Sequence, residues 1–285
     1  MIYLIALFVG ILPAIMLVCF IYWKDRYVHE PWKWVLKAFF FGVLSSIPAI
    51  IIELLLPDVE EDSFLHSAYS AFIVASMSEE AMKMLFFWLL VRKNPYFDER
   101  MDGIVYCAAV GLGFAGLENM GYMLSNLDQL ASVAIMRAFV SVPGHFFFAV
   151  FMGYYYSLAV YGPKEKKKLM LVAAFVVPFI LHGLFDFALM SFDLGEVTAC
   201  VMFVLFVVLF IFMWRHSVKK MNKLLEDDFF AMLKCPPPPP VNNARMQAMT
   251  PPKVPDHINA SPAVSNEQPP MISQPPPPPP PSPRN

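Results

Sequence analysis

The chain has 285 residues, of which 58% are apolar and only 15% are charged. Soluble domains average about 45–50% apolar and about 25% charged residues, so this composition excludes a soluble globular protein. The net charge of −2 averages over segments in different media, but no basic arm with interleaved aromatic residues is present, and no nucleic acid partner is predicted. The four cysteines are scattered without a C-x-x-C pair, which argues against a zinc knuckle or a disulfide framework.

Seven apolar stretches are each long enough, at about 20 residues, to cross a bilayer core of about 30 Å. They lie at residues 2–22, 34–56, 68–91, 103–124, 132–161, 168–190 and 196–214. The first stretch has neither a basic n-region nor a small-residue cleavage site, so we expect a retained anchor. The sequence therefore predicts an all-α, polytopic membrane helix bundle of about seven transmembrane helices, with residues 1–218 as the transmembrane domain.

The charges of the connecting loops predict the orientation of this bundle in the cell membrane. The loops at 57–67, 125–131 and 191–195 contain no Lys or Arg, whereas every other connection contains several. Because basic loops stay in the cytoplasm, the N-terminus is predicted to lie outside and the C-terminus inside. Seven crossings agree with that arrangement.

The C-terminal region divides into two predicted segments. Residues 219–234 form a basic juxtamembrane segment that is predicted to lie as an amphipathic helix on the membrane surface. Residues 235–285 hold 19 of the 27 prolines and are predicted to be a disordered cytoplasmic tail. A solvated tether is the favoured interpretation of this tail, and a ligand for a proline-recognition domain is the alternative.

Ionisable residues inside the predicted spans indicate a buried polar site. A charged side chain at the bilayer centre costs about 2.5–3.5 kcal/mol on insertion scales, so each one requires a partner or a function. Counted at about 1.5 Å per residue from the outer ends of the spans, six of these residues lie roughly 6–20 Å deep in spans three to six. The ionisable residues are Glu53, Glu79, Glu80, Lys83, Glu118, Arg137, His145, His182 and Asp186.

Helical spacing predicts how the third span arranges its charges. Lys83 follows Glu79 by four residues and Glu80 by three, so it can reach either carboxylate. Glu79 and Glu80 are expected to point about 100° apart. We therefore expect Lys83 to hold one carboxylate ionised and to leave the other free.

The remaining polar residues form two predicted pairs. His182 and Asp186 are four residues apart, which suits an imidazole that donates to a carboxylate. Glu118 and Arg137 share a depth on adjacent helices, so an ion pair that only binds the helices together is at least as favoured as direct chemistry. Glu53 is expected to reach the outer interface and to have no role in the site.

Two chemical schemes fit these residues. Two histidines and a carboxylate can hold zinc, or a glutamate and a histidine can activate water directly while the second histidine stabilises the oxyanion. Both schemes hydrolyse an amide bond inside a membrane. A proton- or ion-coupled transporter and a non-catalytic immunity or scaffold protein are the competing classes, but no inverted repeat or matched pair of broken helices supports transport.

Four sequence elements contain most of these residues: E-E-x-x-K from Glu79 to Lys83, F-x-x-x-E-N from Phe114 to Asn119, the single His145, and H-x-x-x-D from His182 to Asp186. Together these elements resemble the PrsW family of intramembrane proteases over residues 70–190. No H-E-x-x-H or G-x-S-x-G motif is present, which argues against site-2-type zinc proteases and serine proteases.

The resemblance implies a bacterial protease that makes the first, outward-side cut in a single-pass, membrane-anchored anti-sigma factor. PrsW proteases are described as metalloproteases, whereas the similar CAAX-processing and bacteriocin-immunity proteases look metal-free, so both schemes stay open. When the family's roles are carried over to the matching motif positions, Glu79 is the expected general base and Glu80 provides the second carboxylate. His145 is the expected water-activating partner, and His182 is expected to orient the oxyanion or a metal. A zinc ion would take Glu79, His145 and His182 as ligands. The expected supporting residues are Lys83, Glu118, Asn119, Arg137 and Asp186.

Overall fold

The computed structural model of the protein describes residues 1–25, 29–57, 59 and 63–234. The predictions for the tail at 235–285 lie outside these described residues. Within them the regular secondary structure is helical and no strand occurs, which confirms the predicted all-α membrane bundle. Its α-helices are α1 Ile2–Lys24, α2 Trp32–Leu55, α3 Phe64–Tyr69, α4 Met77–Val91, α5 Arg100–Ser125, α6 Leu130–Met136, α7 Val142–Tyr161, α8 Lys167–Met190 and α9 Glu196–Lys234.

Six helical segments in the described part of the chain are long and apolar enough to cross a membrane. They correspond to six of the seven predicted spans. The remaining one, predicted at 68–91, is an unbroken helical path in which α3 and α4 are joined by a π-helical turn, Ser70–Ser76. This path is long enough to cross, but Glu79, Glu80 and Lys83 make it less apolar than the others.

The last helix extends well beyond its predicted end at residue 214. Helix α9 continues without a break to Lys234 and therefore includes the segment that was predicted to be a separate surface helix. Leu224 and Leu225 are buried in this extension. The carboxylate of Asp228 accepts hydrogen bonds from the backbone N–H groups of Arg100 and Met101 at 3.2 and 2.8 Å. The extension thus packs against the beginning of α5 as part of the bundle.

Helix α5 lies at the centre of the bundle, where 18 of its 26 residues are buried. Glycines allow α2 to approach it very closely. A Cβ atom on Gly113 would overlap the carbonyl oxygen of Phe39, and one on Gly42 would overlap that of Val110. Small residues at such contacts are typical of membrane helices, whose association depends on close packing of their backbones.

Candidate functional site

Four helices around one cavity carry most of the polar residues of the predicted site. The cavity has a volume of about 970 Å³. Its walls include Glu79 from α4, Glu118 from α5, His145 from α7, and His182 and Asp186 from α8. These five residues are far apart in sequence. The fold connects them with the other four predicted site residues through hydrogen bonds and ion pairs.

Two of the helices that carry site residues, α4 and α7, are each immediately preceded by a π-helical turn. Ser70–Ser76 leads into α4, three residues before Glu79. Arg137–Ser141 leads into α7, four residues before His145. A π-helical turn inserts one extra residue and so changes the direction in which the following side chains point, and such turns are frequent at functional sites.

The ammonium group of Lys83 lies at the centre of the network. It donates to Glu79 Oε2 at 2.9 Å, to Glu80 Oε1 at 2.8 Å and to His145 Nδ1 at 3.0 Å. It also lies 4.1 Å from the ring centroid of Phe114. The expectation that Lys83 leaves one carboxylate free was therefore wrong: both glutamate side chains are long enough to bend from diverging positions on the helix towards the same cation.

His182 lies between two carboxylates and is only 2% exposed. Its Nδ1 is 2.9 Å from Glu80 Oε1, and its Nε2 is 3.1 Å from Asp186 Oδ2, so the predicted His182–Asp186 pair is present. The ring stacks on Phe148 with 4.5 Å between centroids. These contacts fix the orientation of the imidazole, since each nitrogen has a carboxylate oxygen as its partner.

His145 is held by a second set of polar partners. Its Nε2 lies 2.8 Å from Glu118 Oε2, and the other oxygen of Glu118 forms the predicted ion pair with Arg137 Nη2 at 2.8 Å. Arg137 Nε donates to Asn119 Oδ1, and Asn119 donates in turn to the carbonyl of Gly10, both at 2.6 Å. Because Nδ1 accepts from Lys83, these partners assign the neutral form of His145 with its proton on Nε2.

Glu79, His145 and His182 form a group that fits a metal ion. One potential ligand atom from each lies within 4.8 Å of the others. Glu79 Oε2 is 3.9 Å from His145 Nδ1 and 4.0 Å from His182 Nε2. In each imidazole the opposite nitrogen faces a further carboxylate, from Glu118 or Glu80, as is usual for metal-ligating histidines. Two histidines and a glutamate are a common set of zinc ligands.

Glu53 is a cavity residue that the sequence interpretation assigned to the interface. It is half-buried, lines the cavity and accepts a hydrogen bond from Ser78 Oγ at 3.2 Å. The sequence shows that Glu53 is a charged residue inside an apolar span. It does not show that Glu53 lies close to Ser78, the neighbour of Glu79, because that contact depends on how α2 packs against α4.

Comparisons with known proteins identify the family that this chain resembles. A family model described as PrsW family intramembrane metalloprotease matches residues 30–213. Among curated relatives, the protein named Protease PrsW of Geobacillus kaustophilus is 40% identical over 64% of this chain and 78% of its own length. Those of Clostridioides difficile and Bacillus subtilis are each 34% identical, over 79% and 75% of this chain and over 94% and 93% of their own lengths. No solved structure matches the chain significantly.

Proposed function

This chain belongs to the PrsW family of intramembrane metalloproteases, and we propose from this premise that it cuts a single-pass membrane protein on the extracytoplasmic side of the cell membrane. The observation that carries the proposal is the convergence of Glu79, His145 and His182 on one cavity, with ligand atoms within 4.8 Å of one another. This site is buried among helices that can cross a membrane, where a substrate helix would also lie.

The substrate class follows from the resemblance and from the charge of the loops. Because three loops lack Lys and Arg, we expect the N-terminus to lie outside and the tail at 235–285 to lie in the cytoplasm. Helices α5 and α8 each end at a loop without Lys or Arg. Glu118 and Asp186 lie near these helix ends and would then be in the outer half of the membrane. An outward-side cut in an anti-sigma factor, the first cut in its removal, matches this location.

Zinc is the metal that the donor set suits best, and Glu79, His145 and His182 would hold it. When bound, zinc supplies a Lewis acid that lowers the pKa of water towards about 7 and polarises the scissile carbonyl. Glu80 and Glu118 orient the two imidazoles through the nitrogens that face away from Glu79. Lys83, which contacts both Glu79 and His145, would have to withdraw from these atoms.

The position of Lys83 favours a metal-free scheme as the second candidate, since its ammonium already contacts Glu79 and His145. In that scheme Glu79 takes a proton from water while the water oxygen bonds to the scissile carbonyl carbon. A protonated His182 stabilises the resulting oxyanion. Glu79 then returns the proton to the amide nitrogen as the C–N bond breaks, which leaves a carboxyl group and an amine.

Purified protein incubated in detergent with a tagged, single-pass anti-sigma factor tests the activity. Glu79→Gln and His145→Ala should lower the cleavage rate by at least about 100-fold, the usual contribution of a general base. Asp128→Asn, which changes an exposed carboxylate, is the matched control and should cleave like the wild type. Normal cleavage by Glu79→Gln would overturn the assignment of the site.

Metal analysis of the same preparations decides between the two schemes. The zinc scheme requires about one zinc per chain, loss of zinc in His182→Ala, and loss of cleavage in a chelator that zinc restores. Full cleavage by protein without metal would instead establish the scheme in which Glu79 activates water directly.

A further inference from the structure

A second cluster of carboxylates lies at the other end of α5 from the protease site. Asp102 is in the first turn of α5, and Glu118 is sixteen residues further along the helix, which corresponds to about 24 Å. Glu30 comes from the connection before α2, and Asp98 from the connection before α5. None of these carboxylates has a part in the proposed hydrolysis, so their burial requires another explanation.

One carboxylate oxygen from each of Glu30, Asp98 and Asp102 lies within 4.8 Å of the others. Asp102 is fully buried and Glu30 is 3% exposed, whereas Asp98 is exposed and leaves the cluster accessible from solvent. Oxygen ligands bind Ca²⁺ at about 2.3–2.6 Å, so ligands on opposite sides of one ion can lie about 5 Å apart. The cluster therefore has the dimensions of a cation site.

Asp102 contributes an oxygen that no donor in the protein satisfies. Its Oδ2 accepts from the backbone N–H groups of Asp98 and Glu99 at 2.8 and 2.6 Å and thereby caps α5. Its Oδ1 is buried and has no hydrogen-bond partner. A buried carboxylate oxygen without a donor is unfavourable, and a bound cation would remove this cost.

In the described part of the chain, no basic side chain forms an ion pair that would neutralise the negative charge of this cluster. Within the described residues, no Lys, Arg or His forms an ion pair with Glu30, Asp98 or Asp102, and the nearby Arg100 pairs with Asp228 at 3.3 Å.

We propose that Glu30, Asp98 and Asp102 bind one hard divalent cation, of the Ca²⁺ or Mg²⁺ class. The three side chains offer only carboxylate oxygens, which these ions prefer, and no histidine or cysteine is among them. A bound cation joins the connection that leads into α2 to the connection that leads into α5. It stabilises the fold at the end of the bundle remote from the protease site.

Binding of Mn²⁺ to the full chain in detergent, followed by electron paramagnetic resonance, tests this proposal. We expect about one Mn²⁺ per chain, displaced by Ca²⁺ or Mg²⁺. Asp98→Asn changes an exposed side chain and should not disturb folding. It should nevertheless weaken Mn²⁺ binding by at least about 10-fold, because losing even a residue that only hydrogen-bonds a metal ligand lowers metal affinity by about that factor. Asp102→Asn keeps an oxygen for the helix cap and should have the same effect.

Two controls separate this site from other sources of Mn²⁺ binding. Asp128→Asn, which changes an exposed carboxylate outside the cluster, should bind Mn²⁺ like the wild type. His182→Ala should also retain binding, because it alters only the protease site. Absence of saturable binding, binding that is unchanged in both Asp98→Asn and Asp102→Asn, or loss of binding in His182→Ala would each overturn the proposal.

Discussion

At the scale of single residues, Lys83 is the cation that allows two adjacent glutamates to be buried together. Glu80 is completely buried and Glu79 is 7% exposed, and both contact the ammonium group at less than 3 Å. A buried carboxylate without a partner would be strongly unfavourable. Lys83 therefore has a structural role in addition to any part in the chemistry.

We predict that Lys83→Met destabilises the protein by about 3–5 kcal/mol, the usual cost of removing one partner from a buried ion pair. The free energy of unfolding in mixed micelles measures this effect. Lys219→Met, which removes an exposed lysine, should change it by less than about 0.5 kcal/mol. Equal stability of the two variants would show that Glu79 and Glu80 are neutral in the folded protein and do not depend on Lys83.

The sequence predicted which residues gather at the site better than it predicted their contacts. The i, i+4 spacing of His182 and Asp186 gave a pair that the structure contains, because both residues lie on one helix. Glu53 and Asp102 were not assigned to any site. Their positions depend on contacts between helices that are distant in sequence, and helical periodicity carries no information about these contacts.

At the scale of helices, the glycines of α5 set the distance at which α2 packs. We predict that Gly113→Ala destabilises the protein by about 1–3 kcal/mol, the range for overpacking a core, because the added methyl group overlaps the backbone of Phe39, which cannot rotate away. Gly121→Ala on the same helix is the matched control, since nothing lies within 4 Å of its added methyl group. Unfolding in mixed micelles compares the two, and equal stability would mean that α2 can move away at no cost.

Hydropathy predicted the existence of the helices well and their ends less well. The predicted spans begin and end within about four residues of the observed helices, except at the end of α9. An apolar run defines the part of a helix inside the bilayer, whereas α9 continues because Leu224 and Leu225 are buried in the bundle. The π-helical turns before α4 and α7 also escaped prediction, since one inserted residue leaves the apolar pattern almost unchanged.

At the scale of the whole molecule, the orientation in the membrane remains a prediction from loop charge. We expect a reporter fused after Lys223 to be cytoplasmic and a reporter inserted in the loop at 57–67 to be external, because that loop lacks Lys and Arg. Accessibility of the two reporters in intact cells measures this directly. The reverse pattern would place the protease site in the cytoplasmic half and contradict an outward-side cut.

The predicted boundary between the transmembrane domain at 1–218 and the tail leads to a comparison of two truncations. A chain that ends after Lys234 lacks only residues 235–285 and keeps every site residue as well as the whole segment matched by the family model. We predict that it inserts and cleaves like the full chain. A proline-rich, weakly charged segment cannot bury apolar surface, so any effect of its loss should be on regulation or location.

A chain that ends after Val218 should behave differently. It lacks Leu224 and Leu225, and burial of a single leucine contributes about 1.5–3 kcal/mol. It also lacks Asp228, so the buried N–H of Met101 loses its acceptor, at a further cost of about 1–3 kcal/mol. We therefore expect a lower free energy of unfolding and less cleavage in detergent. If this shorter chain is as stable and active as the one that ends at Lys234, the extension of α9 is dispensable and residues 1–218 suffice as the protease domain.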